Sequence, residues 1–392
     1  MVHEKRGAGP VFLHVGLPKT GTTFLQRLLR DNRDLLAEHG VQYPVHGAGT
    51  MFHAAIEIRD SHEHWGMDPD RINGTWDRIC AEAREFGGTT VMGHEILSGA
   101  TPRQVERVAT DLGDVDWHVV VTARDLGRQI PAWWQEWVKD GHTTGFAETM
   151  DQHVLSGWDG SGHPFWHFQD LAGVLERWGA VLPASRMHVV VVPQSGADPQ
   201  ELWRRFTAAL GLPTGIDVVI PPPSNESLGV TEVATLRGVN EALDRRLVQP
   251  HYGPVVKHWF VESVLSPRSS RRPVLPADWQ ERVNRTTDRW LGYLEETGIR
   301  VHGPLDDLRP SVAEPGERPP DDVTAEERAE LAPRAMAEML LEVSRLRREN
   351  QQLRRDLRDA ERTLPRIRGA GRARRALGTI RHRARALADR SR

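Results

Sequence analysis

Two glycines, one lysine and three threonines fall within the eight residues Gly16-Leu-Pro-Lys19-Thr20-Gly21-Thr22-Thr23. Glycines let a backbone approach an anion closely, and successive N–H groups in a tight loop form a nest for one. Lys19 adds a full positive charge, and a helix starting after Gly21 would add the positive end of its dipole. The chemistry is capture of a phosphate-like group. Gly16 and Gly21 have the spacing of the nucleotide loop GxxxxGK[ST], but Thr22 follows Gly21 and the lysine lies inside the loop, so this is not a Walker A sequence. No later strand presents an obvious metal-holding aspartate. The loop is expected to bind a phosphate-bearing donor, with Pro18, Lys19, Thr20, Gly21, Thr22 and Thr23 as its contacts and without an obligatory metal.

A second group of reactive side chains is His94-Glu95, which follows the apolar run Thr89–Met92. Transfer of a group to a hydroxyl or amine needs a base, and a glutamate or histidine in a dry pocket serves as one. Glu95 is the preferred base, with His94 as orienting partner or rival. A third group is Arg124 and Arg128, just after the run Trp117–Thr122.

These residues need a scaffold. Val11 to Val15 is a short apolar run closed by Gly16 and Pro18, which predicts a buried strand. Phe24, Leu25, Leu28 and Leu29 then recur at helical spacing, with Thr22 or Thr23 as cap. Runs at 89–92, 117–122 and 187–192 predict further buried strands, separated by helical periods at 76–86, 102–112, 171–178 and 199–210. Strands alternating with helices predict an α/β fold, a three-layer parallel sheet with helices on both faces. Ligands of such sheets sit at the carboxyl ends of the strands, where the Lys19 loop, His94-Glu95 and Arg124 all fall.

At Gly16 to Thr23 the chain resembles the sulfotransferases that use 3′-phosphoadenosine-5′-phosphosulfate (PAPS), whose loop reads G-x-P-K-[ST]-G-T-[ST]. The resemblance implies a nucleotide-kinase-like sheet and PAPS as donor. It implies that Lys19 contacts the leaving bridging oxygen, and that backbone amides with the hydroxyls of Thr20, Thr22 and Thr23 hold the phosphate. In that family an arginine after a strand and a serine eight residues later bind the 3′-phosphate. Arg124 matches, whereas the serine position is Ala132, leaving Arg128 or Gln129 to compensate. The expected activity is transfer of the sulfuryl group from PAPS to a hydroxyl, or an amine, of a carbohydrate, lipid or small-metabolite acceptor. A nucleotide kinase or NTPase, and an inactive nucleotide-binding scaffold acting through its C-terminal helix, stand as alternatives.

The acceptor side is less explicit. His53 lies between the loop-bearing unit and the next strand, where a substrate-covering segment belongs. Residues 131–166 are rich in aromatics: Trp133, Trp134, Trp137, Trp158, Phe165 and Trp166. Their helical spacing mostly signals core packing, yet Trp134 with Gln135 could also stack on and hydrogen-bond an acceptor. The stretch holding His53, His62 and His64 has no regular period and reads as a loop, and His62-x-His64 lacks the partners of a metal site.

The 392 residues carry a net charge of −3, with 39% hydrophobic and 27% charged residues, and no run of about 18 apolar residues that could span a bilayer. The single cysteine, Cys80, rules out an internal disulfide framework and suits a reducing cytosol. The segment MVHEKRGAGP has no apolar signal-peptide core, so a cytoplasmic location is expected. The resemblance covers residues 9–309, followed by a Pro- and acid-rich linker at 310–332. In 333–364, Met336, Met339, Val343, Leu346, Asn350, Leu353, Leu357, Ala360 and Leu364 alternate spacings of three and four, the a and d positions of a coiled coil. This predicts a homodimer through 336–364, with Asn350 at an a position selecting a parallel pair. Residues 365–392 hold ten arginines against one aspartate, a basic tail suited to an anionic surface at the inner membrane face; nucleic acid is disfavoured as a partner.

Overall fold

The computed structural model describes residues 8–47, 49–157, 164–213, 215–221, 227–267, 270–314 and 316–363, with side chains to 360. Trp158, Leu364 and the basic tail lie outside the described residues. The strands are β1 (Val11–His14), β2 (Val41–Gln42), β3 (Thr89–Met92), β4 (Trp117–Ala123), β5 (Met187–Val191) and β6 (Arg300–His302). The helices, in chain order, are α1 (Thr22–Asp31), α2 (Arg33–Glu38), α3 (Thr50–Arg59), α4 (Pro69–Ile72), α5 (Thr75–Glu85), α6 (Pro102–Leu112), α7 (Leu126–Lys139), α8 (Phe146–Thr149), α9 (Pro164–Gln169), α10 (Leu171–Gly179), α11 (Glu201–Ala209), α12 (Val230–Leu243), α13 (Gln280–Thr297) and α14 (Ala325–Thr363).

The chain divides into two compact units, of which the first holds residues up to 137, 144–227 and 273–322. Its six described strands form one parallel sheet in the order β2-β3-β1-β4-β5-β6. This is the three-layer α/β fold that the alternating pattern predicts. Val11 pairs with Thr90 of β3 on one side and Trp117 of β4 on the other, so β1 is central. The chain leaves β1 for one edge, returns through β3 and then crosses to β4. The order therefore reverses around β1, and the loops after β1, β3 and β4 meet at one end of the sheet.

Successive strand residues face opposite sides, and both sides are covered. Phe12, Val91, Val120 and Val190 pack with Leu25, Leu28 and Leu29 of α1 and with Leu202, Trp203 and Phe206 of α11 in one core. Their neighbours Val11, Leu13, Val119, Val121, Val189 and Val191 are fully buried on the other side, where α10 packs against β4.

Two elements depart from the sequence reading. The supposed loop around His53 is the helix α3: Met51, Ala54, Ala55 and Ile58 are buried at i, i+3, i+4 and i+7, a face that its two small alanines and the additional apolar Phe52 and Ile56 beside it obscure in the sequence. Residues 300–302 supply the edge strand β6, which is short and carries Arg300 and His302, leaving no apolar run to detect.

The second unit comprises residues 138–143, 228–272 and 323 onward. Here α14 packs on α12 and on a π-helical segment, Gly253–Leu265. The Asn240 amide donates to the carbonyls of Val138 (2.9 Å) and His142 (3.1 Å), and its oxygen accepts from the Tyr252 hydroxyl (2.7 Å). The helix α14 starts at Ala325, inside the stretch expected as linker, and passes through Pro333. A reciprocal cap explains the early start: Thr324 N donates to Glu327 Oε2 (2.6 Å) and Glu327 N to Thr324 Oγ1 (3.1 Å).

Candidate active site

Where β1 ends, Gly16 allows the loop to turn under β4. A Cβ there would stand 2.0 Å from Thr122 Oγ1 and 2.8 Å from His14 Nε2, so any side chain would displace the polar chain beneath. That chain has a fixed proton order. Thr20 Oγ1 donates to Leu17 O, so Thr122 Oγ1 must donate to Thr20 Oγ1 (2.7 Å), and His14 Nε2–H to Thr122 Oγ1 (3.2 Å). Burial pushes the His14 imidazole down to about 4, with the Glu95 carboxylate pulling the other way, so His14 is a neutral donor at pH 7.

Three successive loop carbonyls are thereby turned into the protein. Leu17 O accepts from Thr20 Oγ1, Pro18 O from Gln129 Nε2 (3.3 Å) and Lys19 O from Arg124 Nη1 (3.3 Å). With the carbonyls of Pro18 and Lys19 held inward, the N–H groups on the same peptides, those of Lys19 and Thr20, are left for the concave side; the peptide of Leu17 O ends in Pro18 and offers none. Lys19 itself has φ 69°, the left-handed bend that turns successive N–H groups to one side. The helix α1 then starts from Gly21, in left-handed conformation and with no side-chain cap, in place of the expected Thr22 or Thr23. The hydroxyl of Thr20 is fully buried in the chain below the loop, Thr22 is buried, and Thr23 is exposed at the helix start.

The lysine meets an unforeseen partner: Lys19 Nζ forms an ion pair with the Glu136 carboxylate on α7. Gln129, Trp133 and Glu136 lie at spacings of four and three, so one stripe of α7 runs along the loop, with Gln129 at Pro18 and Glu136 at Lys19. That spacing after a strand end was the available signal for Glu136. The same helix period buries Trp134 with Ile130 and Val138. Trp134 donates its Nε1–H to Thr144 O (3.4 Å) and packs edge-on to Phe146, and Gln135 is buried as well, so neither lines an open acceptor surface. The half-buried tryptophans on α7 are Trp133 and Trp137, stacked at 5.5 Å, with Phe165 and His153 against them.

At the end of β3, Gly93 has φ 119°, and a Cβ there would sit 2.4 Å from His14 O. This close approach sets His94 and Glu95 beside the β1 loop. Glu95 Oε2 accepts from Gln26 Nε2 of α1 (3.1 Å) and lies 3.3 Å from His94 Nδ1. Burial raises the Glu95 carboxyl, but His94, its own backbone N–H, His14 and Lys19 together outweigh it and hold Glu95 below the usual glutamate range. Glu95 is therefore a carboxylate at neutral pH. His94 Nδ1 also lies 3.4 Å from Ile96 N. One nitrogen cannot accept from Ile96 and donate to Glu95 in the same tautomer. The shorter, charge-assisted contact to Glu95 favours Nδ1–H, which leaves Nε2 as the basic nitrogen. The Phe52 ring of α3 lies 5.1 Å from the His94 ring and 6.4 Å from that of His53, so the structure brings His53 and His94 to the same side of the sheet end.

Beyond β4, Arg124 reaches Lys19 O, and Arg128 turns inward. Its Nε pairs with the fully buried Asp125 carboxylate and its Nη1 donates to Pro193 O (2.9 Å). Arg128 thus anchors the start of α7, while Arg124 stays half-buried against the loop. Among the described residues, no group of three His, Cys, Asp or Glu side chains is arranged to hold a metal ion.

No protein-family model matches the chain, and no curated protein matches it. Among solved structures, it is similar to the crystal structure of a sulfotransferase from Alicyclobacillus acidocaldarius, with 17% identity over 60% of this chain and 96% of that one and a TM-score of 0.38.

Proposed function

We propose that the chain is a PAPS-dependent sulfotransferase acting on a hydroxyl, or an amine, of a carbohydrate, lipid or small metabolite. The observation that carries this reading is the loop after β1, whose carbonyls at Leu17, Pro18 and Lys19 are all bound inward while Lys19 and the start of α1 face the concave side. Such a loop favours an anion with several oxygens, and its sequence resembles the phosphosulfate loop of the PAPS-dependent enzymes.

The residues present fit a 5′-phosphosulfate: amides to receive the oxygens, the Lys19 cation at the loop, and a carboxylate nearby for a proton. In the proposed step Glu95 takes the proton of the acceptor as its oxygen or nitrogen forms a bond to sulfur. The bond from sulfur to the bridging oxygen breaks on the far side. Lys19 and the loop amides stabilise the charge that appears on the departing phosphate. His94 orients Glu95 through Nδ1–H. Arg124 takes the 3′-phosphate, without the hydroxyl that Ala132 lacks.

Calorimetric binding of 3′-phosphoadenosine-5′-phosphate tests the reading. Wild type should bind it well, Lys19→Ala at least tenfold more weakly, and ATP with magnesium poorly. A preference for ATP would replace this reading with a kinase or NTPase, and binding of neither nucleotide would remove it.

A further inference from the structure

The helix α14 leaves a row of large apolar side chains in solvent: Met336, Met339, Val343, Leu346, Leu353 and Leu357 are each 44–55% exposed. Leu331 and Ala335 are buried, so the face that packs within the second unit differs from the exposed stripe. We propose that this stripe is the seam of a parallel, in-register, two-stranded coiled coil with a second copy of the same chain.

Charge complementarity identifies the occupant and its direction. With Met336, Val343, Asn350 and Leu357 at a and Met339, Leu346, Leu353 and Ala360 at d, the flanking g positions are Glu342, Glu349 and Asp356. The e positions after Leu340 are Arg347, Arg354 and Glu361. In a parallel pair each g residue faces the e residue five further on in the other helix. Glu342 then meets Arg347 of the second copy and Glu349 meets Arg354 of the second copy, while Asp356 meets Glu361, so two of the three pairs are complementary and one, at the end of the seam, is not; each occurs twice by symmetry. An antiparallel pair instead sets g against g and e against e, glutamate on glutamate and arginine on arginine. The charges therefore favour one orientation and oppose the other.

Asn350 sets the register. In register it faces its own counterpart, and two amides satisfy each other across the axis. A slip by one heptad would bury it unpaired against Val343 or Leu357. Val343 at a with leucines at the d positions Leu346 and Leu353 suits two strands. Within one chain Glu342 and Glu349 are both bonded to Arg345, at 2.7 and 2.6 Å to separate guanidinium nitrogens, so in a pair Arg347 and Arg354 of the second copy would share these carboxylates with Arg345.

The test uses the full chain. Light scattering at micromolar protein should give twice the chain mass of 44.1 kDa, and Leu353→Lys, on an exposed position, should weaken association at least tenfold. Single cysteines distinguish the orientations, because Cys80 is buried and stays silent. Under oxidised glutathione, Val343→Cys and Leu357→Cys should each cross-link to themselves, since equal a positions meet within disulfide reach in a parallel pair. A monomer in solution, a larger assembly, or cross-linking only in a mixture of the two cysteine variants would each overturn the proposal.

Discussion

Lys19 of the β1 loop is ion-paired with Glu136 of α7, seven residues beyond the Gln129 that holds the carbonyl of Pro18. The pair is partly exposed, with side-chain accessibilities of 32% and 24%, so it is worth only about 1 kcal/mol. An anion entering the loop competes with Glu136 for the lysine. Glu136→Gln is therefore expected to tighten binding of 3′-phosphoadenosine-5′-phosphate about three- to tenfold, and the gain should shrink as salt is raised. Weaker binding in calorimetry would mean that the carboxylate holds Lys19 in its working position.

The positive φ of Lys19 gives a second expectation. A non-glycine residue in the left-handed region costs on the order of 1 kcal/mol, which the fold supports here to present the lysine. Lys19→Gly and Lys19→Ala both lose the ion pair, but only glycine relieves the backbone. The glycine variant should unfold at the higher urea midpoint, by about 1 kcal/mol, while both lose nucleotide binding. Equal midpoints would show that the loop relaxes around the alanine without strain.

The position of this loop, between a strand and a helix, was legible in the sequence because Gly16, Pro18 and Gly21 break an apolar run from a helical period, and the sheet because its strands are buried runs. What escaped depends on the third dimension. Glu136 is an ordinary helix carboxylate until α7 is laid along the loop, and Trp133 and Trp134 differ only by the roughly 100° between successive helix residues, which buries the second. The helix α3 hid because its buried face is built partly from alanines, while Phe52 and Ile56 put apolar residues beside it and blur the period. The exposed apolar stripe of α14 was readable throughout, since spacings of three and four form a one-dimensional pattern.

Thr122 links β4 to the loop from below, between His14 and Thr20. Thr122→Val keeps the volume and deletes the hydroxyl, leaving the His14 N–H without its acceptor and Thr20 without its donor in a buried site. The expected cost is about 1–3 kcal/mol in urea unfolding. Nucleotide binding should weaken too, because the Leu17 carbonyl is held through Thr20. Loss of stability with unchanged binding would show that Gln129 and Arg124 suffice to shape the loop.

Glu95, held as a carboxylate below the ordinary glutamate range, makes a prediction for the pH profile. A base must be unprotonated to act, so kcat should stay flat through the imidazole range of about pH 6 to 7. Glu95→Gln should lower kcat by about a hundredfold or more, with nucleotide binding nearly unchanged. An acid limb within the imidazole range would move the base to a histidine, with His94 the adjacent candidate.

Stability should itself depend on pH through a row of histidines crossing β4, β5 and β6. His118 Nδ1 lies 3.0 Å from His188 Nε2, and His188 Nδ1 lies 3.2 Å from His302 Nε2. Phe12 stacks on His118, Asp116 stands at one end of the row, and Arg186 and Arg300 flank it. Burial pushes His188 down to about 4, and its two histidine neighbours and Arg300 add to the effect. The unfolded chain takes up that proton near pH 6.5 and the folded chain only near 4. The unfolded state thus binds more protons between these values, so stability is complete above 6.5 and falls as pH is lowered towards 4. The slope is about 1.4 kcal/mol per pH unit for each such histidine, and the buried His14 contributes a second one in the same window. His188→Gln retains a hydrogen-bonding group without the titration. Urea midpoints measured from pH 7 downward should fall less steeply in this variant, by about one proton's worth of slope, and parallel curves would show that the row takes up its protons without opposing the fold.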